Sequence, residues 1–315
     1  MKQKTLNQYL RERFGQKVYK LALDGGFTCP NRDGTLGTKG CIFCSAGGSG
    51  DFAEDRNLSI TQQIENGKRR VVAKMPKNKE GTNKDLTNNN ATNKETNIDT
   101  NKYIAYFQAF TNTYGPIERL RALYTEAINH PDIVAVSIGT RPDCLPDEVI
   151  DLLDELNQIK PIWVELGLQT IHEKTANYIR RGYPLSVYDE AVQDLLSRNI
   201  EVITHVILGL PGESKEDMLE TVKYVGESGV QGIKLQLLHV LKNTDLAKDY
   251  DQGMFECMTL DEYISLISDC LDILPNHVII HRLTGDGPKR ILIAPEWSKD
   301  KKKVLNALNR NALYK

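Results

Sequence analysis

Short apolar runs alternate with longer amphipathic ones along most of this chain of 315 residues, and that alternation constrains the fold more than any other feature. Runs at 18–23, 103–109, 133–138, 162–168, 202–208 and 233–238 have the length and β-branched or aromatic content of buried strands. Between and after them, 60–74, 116–129, 146–158, 187–198, 215–228 and 260–274 carry the 3.6-residue periodicity of helices. Pro116 and Pro146 stand where a first helical turn tolerates proline, and Ser214 before Lys215, Glu216 and Asp217 reads as an N-cap with acids in the first turn. Such alternation predicts an α/β fold of parallel strands joined by right-handed crossovers. Six units predict a partial (β/α)6 barrel with its chemistry at the C-terminal ends of the strands. A doubly wound sheet is the alternative, because periodicity does not count barrel closure.

A 40% hydrophobic content is enough for a sizeable core. The predicted organisation is a basic N-terminal extension (1–17), a core (18–288) and a basic C-terminal helical extension (289–315). Residues 76–102, dominated by Asn, Thr and Lys, bury too little apolar surface to offset their ordering entropy and read as a disordered insertion. The formal net charge of −2 hides an asymmetry: residues 1–20 have a surplus of five positive charges and 289–315 of six, which leaves about −13 for the body. Basic ends on an acidic body suit phosphate contact through counterion release, although terminal lysines are often merely solvated. No secretory h-region and no apolar run near the ~18 residues of a membrane span is present, so a soluble, cytoplasmic protein is expected.

In a reducing compartment, six cysteines point to metal or chemistry before disulfides. Three are closely spaced in CPNRDGTLGTKGCIFC (29–44), directly after the first strand and so at the catalytic rim of any barrel. Thiolates at Cys29, Cys41 and Cys44 could hold three irons of a cubane cluster and leave the fourth open. A structural zinc site wants four ligands, with Cys144, Cys257 or Cys270 as the only distant cysteine candidates, and an electron-transfer ferredoxin wants four cysteines close together. Gly34, Gly37, Gly40 and the 47–50 stretch permit the backbone to approach a cluster closely, though many Gly-rich loops are only flexible.

With its aromatic just before the last cysteine, this loop resembles that of the radical S-adenosylmethionine (radical SAM) superfamily. Its long first spacing departs from the commonest form and is similar to the subfamily resembling the elongator catalytic subunit. Segments at 106–114 (YFQAFTNTY), 137–145 (SIGTRPDCL), 164–170 (VELGLQT), 180–183 (RRGY) and 207–213 (ILGLPGE) extend the likeness over most of the chain. The resemblance implies a [4Fe–4S] cluster on Cys29, Cys41 and Cys44 whose open iron chelates S-adenosylmethionine. It implies one-electron reductive cleavage to a 5′-deoxyadenosyl radical that abstracts hydrogen from substrate, and an electron donor such as flavodoxin or ferredoxin.

By position, the resemblance places Gln108, Thr111, Asn112 and Thr113 near the methionine amino group and Glu165 and Gln169 near the ribose or sulfonium. It makes Arg181 the partner of the methionine carboxylate and puts the turn at Gly209 beside adenine. The ordinary reading of Glu165 is a buried partner for a Lys or Arg, and that of Gln169, Thr111 and Thr113 is strand-end capping. Cys144 follows the third strand and either faces the radical chamber or fills the core. Cys257 and Cys270 read as structural, and His239 and Lys242 either line the substrate side or are satisfied elsewhere. The chain is most similar to bacterial elongator-like proteins without the acetyltransferase domain. Some of these are linked to converting the carboxymethylaminomethyl group of tRNA wobble uridine to aminomethyl, which makes tRNA the expected partner. Arg11, Arg13 and Lys299 to Lys303 are then expected to hold its phosphates. A small-molecule or porphyrinogen substrate, or a non-catalytic metal-stabilised RNA-binding module, are the competing readings.

Overall fold

A computed structural model describes residues 3–75, 101–285 and 287–310. The insertion expected at 76–102 therefore falls outside the described residues, except that Asn101 and Lys102 are described and Lys102 already opens a strand. Seven strands form one parallel sheet: β1 (Val18–Leu23), β2 (Lys102–Phe107), β3 (Ile133–Thr140), β4 (Ile162–Gln169), β5 (Glu201–Leu208), β6 (Gly232–Leu237) and, after the two-residue β7 (Val240–Leu241), β8 (Ile279–Arg282). Their spatial order is β1-β2-β3-β4-β5-β6-β8. Because this order never reverses, there is no switch point of the doubly wound kind; the sheet curls as an open half-barrel.

Ten helices are described, of which α1 (Leu6–Phe14) precedes the sheet. The crossovers carry α2 (Ile60–Ala73), α3 (Ile117–Asn129), α4 (Asp147–Asn157), α5 (Glu173–Tyr178), α6 (Leu185–Ser197), α7 (Lys215–Glu227), α8 (Asp245–Asp251) and α9 (Leu260–Ile273). Beyond β9 (Leu292–Ala294) lies α10 (Lys301–Leu308). The main core joins strand residues such as Leu23, Phe107, Val164 and Leu235 to helix residues such as Leu120, Leu153, Leu195 and Ile267. Parallel strands covered on both faces read as nearly continuous apolar runs, which is why six of the seven were visible in the sequence. Four-residue β8 was not, being too short and carrying His281 and Arg282.

Strand register sorts the inward-facing side chains into layers. At the N-terminal end of the strands, Val18, Ile104, Ala135, Trp163 and Ile203 form an apolar floor, closed from below by Leu10 of α1. Above it lies a polar layer with Lys20, Tyr106, Ser137, Glu165, His205 and Lys234; Ser137 is level with Tyr106, and Lys234 with both His205 and Arg282. Cavities open above that layer, at the C-terminal strand ends.

Both terminal extensions differ from expectation. The N-terminal segment is tied into the fold: the Ile280 amide donates to the Lys4 carbonyl, the Gln3 amide to the Leu271 and Leu274 carbonyls, and Arg13 pairs with Glu201 at the start of β5. Arg13 thus sits at the floor, on the end of the barrel away from the cavities. The C-terminal segment is not only helical, since β9 pairs antiparallel with β7, and α10 buries Val304 and Leu308 in the main core.

Candidate active site

The cysteine loop leaves β1 and folds on itself through local hydrogen bonds. The Arg32 and Asp33 amides donate to the Cys29 carbonyl, the Gly40 amide to the Asn31 carbonyl and the Cys44 amide to the Cys41 carbonyl. Asn31 Nδ2 ties the loop to the 180–183 turn at the Arg180 carbonyl (2.7 Å) and also faces Cys41 Sγ at 3.4 Å. Arg32 Nη2 donates to the Ser45 carbonyl at 2.6 Å, which clamps the two ends of the loop together. The stretch after Cys44 lies flush on the end of β2: Gly48 adopts φ +51°, and a Cβ there would come within 2.4 Å of the Phe110 ring.

Cys29, Cys41 and Cys44 are free and line one cavity, as do Arg32 and Arg141. A hydrogen bond with Cys44 holds the Cys41 thiol down to about 6 against the effect of burial, with Asn31 and the charges of Arg141 and Arg32 adding to it. The same bond, with burial, pushes Cys44 well up. The same cavity is lined by Gln108, Thr111 and Gln169; the Thr111 amide donates to the Thr28 carbonyl beside Cys29, and Gln169 turns off the end of β4 at φ +71°.

Its base is the polar layer. Glu165, wholly buried, accepts from Lys20 Nζ (2.5 Å), Ser137 Oγ (2.7 Å) and His205 Nε2 (2.8 Å), and from Lys234, which also donates to the Tyr106 hydroxyl (3.2 Å). Burial by itself would raise the Glu165 carboxyl, but the charges of Lys20 and Lys234 and the His205 bond hold it well below the usual range. Burial lowers Lys234 to about 7, helped by Lys20 and Arg282 and opposed by Glu165. His205 falls to about 4, mainly through burial, and is neutral at pH 7. A second cavity shares Cys44, Gln108, Gln169, Gln236 and Arg282 with the first and reaches on to His239 and Pro288.

The Radical SAM superfamily model matches residues 32–225, and the Radical_SAM C-terminal domain matches 230–313. The chain belongs to the radical SAM superfamily. Its members use a [4Fe–4S] cluster and S-adenosylmethionine and need a reductant. The chain is 48% identical to YtqA of Bacillus subtilis over 306 residues, covering 97% of this chain and 88% of that one. Over 163 residues it is 27% identical to the tRNA uridine(34) acetyltransferase of Methanocaldococcus jannaschii, covering 51% of this chain and 30% of that one. Among solved structures, Methanocaldococcus infernus Elp3 superposes with a TM-score of 0.62 at 20% identity, covering 88% of this chain and 58% of that one, which shows a shared fold.

The donor set fits a radical SAM cluster. Three free thiols meet at one cavity, and the other conceivable ligands lining it, Glu165 and His205, are bonded to each other in the layer below. That leaves a position for an exogenous ligand. No described helix is long and apolar enough to cross a membrane.

Several expected contacts are redirected by the structure. Arg181 is 2% exposed and its guanidinium bonds the Tyr183 and Thr170 carbonyls and Glu173, yet it lines the cavity with the cysteines; Arg141 lines it too, with Nε and Nη2 paired to Asp143. Glu165 has the buried-partner role, its oxygens accepting from Lys20, Lys234, Ser137 and His205, while it also lines the base of the cavity. Asn112, wholly buried, braces the ends of β2 and β3 through the Phe107 and Gly139 carbonyls. Thr113 bonds Thr140 and, like Cys144, lines a separate outer cleft with Pro30, Tyr114 and Val187. Cys144 therefore does not face the chamber, and burial pushes its thiol up to about 12. Gly209, at φ +90°, packs against Met218 and Met258 and lines neither cavity. His239 lines the second cavity with Gly285 and Gly287 against its ring, whereas Lys242 is exposed. Lys20, Lys234 and Arg282 escaped the sequence reading; the signal was a charged residue inside an otherwise apolar strand run, which in a parallel barrel points into the lumen.

Proposed function

We propose that this radical SAM enzyme remodels the 5-substituent of tRNA wobble uridine, converting carboxymethylaminomethyl to aminomethyl. The observation that carries the reading is a basic cleft beside the cavity mouth. Lys289, Arg290 and Lys299 line it together with Phe52, and it adjoins the second cavity through Asp51, Gly285, Gly287 and Pro288. Cations next to an opening suit a phosphate backbone from which one base is turned inward. Partial likeness to a protein named tRNA uridine(34) acetyltransferase supports the same substrate class. Docking is assigned to the C-terminal cations, which adjoin the second cavity, because the helix carrying Arg11 and Arg13 closes the floor at the other end of the strands.

Within this reading, Cys29, Cys41 and Cys44 hold the cluster, and Asn31 Nδ2 steadies the Cys41 sulfur. Arg141 and Arg181, both lining the cavity and each already paired with a neighbouring carboxylate (Asp143 and Glu173), are the cations beside which the methionine carboxylate is proposed to lie. Gln108, Thr111 and Gln169 provide polar contacts on the cavity wall. When bound, the cluster and S-adenosylmethionine supply a 5′-deoxyadenosyl radical, with flavodoxin or ferredoxin as the proposed electron source. The buried layer beneath them fixes the shape of the lumen and keeps His205 neutral.

The test is nucleoside mass spectrometry of total tRNA from a strain lacking this gene and from its parent. Accumulated carboxymethylaminomethyluridine with loss of the aminomethyl form is expected. An unchanged profile would remove tRNA from the proposal and leave a radical SAM enzyme with a small-molecule substrate.

A further inference from the structure

Several large apolar side chains stand exposed among the described residues, and Phe52, 51% exposed, is the aromatic one. Isolated exposed aliphatics are ordinary on a protein surface and call for no account. Phe52 differs from them in its position. It lines both the second cavity and the basic cleft, so it stands where the two meet. Lys289, Arg290 and Lys299 lie on the cleft side of it, and Gln108, Gln169 and Gln236 on the cavity side.

The chain around Phe52 is fastened to the fold. The Gly50 amide donates to the Gly47 carbonyl (2.8 Å) and the Ala53 amide to the Gly50 carbonyl (2.9 Å), two successive turns of which the second contains Phe52. Ser45 Oγ donates to the Asp51 carboxylate at 2.8 Å, the Glu54 amide donates to the Ala22 carbonyl of β1, and the Glu54 side chain pairs with Arg70 of α2. Gly50 lies so close to the end of β2 that a Cβ there would come within 2.6 Å of the Ala109 side chain. Phe110, which packs on the same stretch, has the guanidinium carbons of Arg32 and Arg56 over its ring at 5.6 and 5.7 Å. Among the described residues, neither a ring nor a cation covers Phe52 in that way. An aromatic side chain on a fastened turn presents a flat apolar face at little entropic cost on binding. Beside cations that suit a phosphate backbone, the planar group of matching chemistry is an unpaired nucleobase, because every base has a π-face.

We propose that Phe52 is a stacking platform for a nucleobase of single-stranded RNA, the neighbour of the base that enters the second cavity. The inference rests on the reading that RNA docks on the basic cleft, and it adds how the strand is gripped. Cations hold the backbone, while the ring holds one base outside the chamber and so sets which base enters. A base inside a duplex is already stacked on both faces, so the ring also selects unpaired strand over duplex.

The test uses a fluorescein-labelled oligouridylate of about eight nucleotides and an abasic oligomer with the same ribose-phosphate backbone, titrated by fluorescence anisotropy with the cluster-reconstituted protein. Neither oligomer has a wobble position, so the outcome is separate from the nucleoside profile of tRNA: stacking can hold with wobble uridine excluded, and can fail with it confirmed. Wild-type protein is expected to bind the base-bearing oligomer at least about tenfold more tightly than the abasic one. Phe52→Ala should abolish most of that preference while leaving iron content and the slope of log Kd against log salt unaltered, since stacking releases no counterions. Phe52→Trp should keep the preference, and its added indole emission should be quenched by the base-bearing oligomer and not by the abasic one. Equal binding of the two oligomers by the wild type, an undiminished preference in Phe52→Ala, or a wild-type dimer that Phe52→Ala converts to a monomer would overturn the proposal, the last by showing the ring covered by a second copy of this chain.

Discussion

Replacing Glu165 with glutamine should destabilise the protein by about 3–5 kcal/mol at pH 7, the range for stripping a buried cation of its counter-charge. The structure explains why the loss is large. One carboxylate accepts from Lys20, Ser137, His205 and Lys234, and glutamine offers a single oxygen while turning its NH2 toward one of the donors. The loss should also depend on pH in a definite direction. Lys234 has a folded pKa of about 7 against 10.5 for the free side chain, so the unfolded chain binds more protons between those values. This group's cost to stability is thus fully present below about pH 7 and is relieved as pH rises toward 10.5, with a slope of at most about 1.4 kcal/mol per pH unit. Removing Glu165 removes the influence that holds the pKa of Lys234 up, so the deficit of the variant should be larger at pH 6.5 than at pH 9.5. Urea unfolding followed by circular dichroism at the two pH values reads both effects. The double variant E165Q/K234M should recover much of the loss, since an apolar chain replaces one of the stranded cations. A deficit under about 1 kcal/mol, or one that does not change with pH, would refute the reasoning.

Leu10→Ala should cost about 2–5 kcal/mol in urea unfolding by opening a void under the floor, yet leave iron content after reconstitution unchanged, because the floor is remote from the cysteine loop. Cys144→Ser should retain S-adenosylmethionine cleavage at close to the wild-type rate, since the thiol lines the outer cleft; a complete loss measured as 5′-deoxyadenosine would return Cys144 to the chamber. Neutralising Lys289, Arg290 and Lys299 together should lower the slope of log Kd for tRNA against log salt by about 2–3, whereas Arg11→Gln with Arg13→Gln should leave it unaltered.

Much of the scaffold could be read directly. Buried parallel strands are apolar throughout, and Ser59, Ser214 and Thr259 each begin a helix with a reciprocal capping box, so six strands and the six long helices had local signatures. What escaped depends on the third dimension. The helix α1 is short and charged, and only the barrel's open end gives Leu10 something to bury against. The strand β8 is recognisable only once β6 offers it an edge. Among site residues, the cysteines were legible because their spacing is local. Arg181 and Arg141 are both arginines after strand ends that reach the same cavity, and nothing in one dimension says that Arg181 bonds the Tyr183 and Thr170 carbonyls while Arg141 pairs with Asp143. The two readings of Cys144 could not be separated in one dimension either: a one-turn 3-10 segment, Pro142–Cys144, places the buried thiol at the outer cleft.

The measurement that bears most directly on the proposed reaction is a single-vessel assay of the reconstituted protein with S-adenosylmethionine, a one-electron reductant and tRNA carrying carboxymethylaminomethyluridine. Wild-type protein should yield 5′-deoxyadenosine together with aminomethyluridine, and Cys41→Ala should yield neither. Formation of 5′-deoxyadenosine with the tRNA nucleosides unchanged would contradict the assignment of wobble uridine as the substrate, and undiminished cleavage by Cys41→Ala would contradict the placement of the cluster.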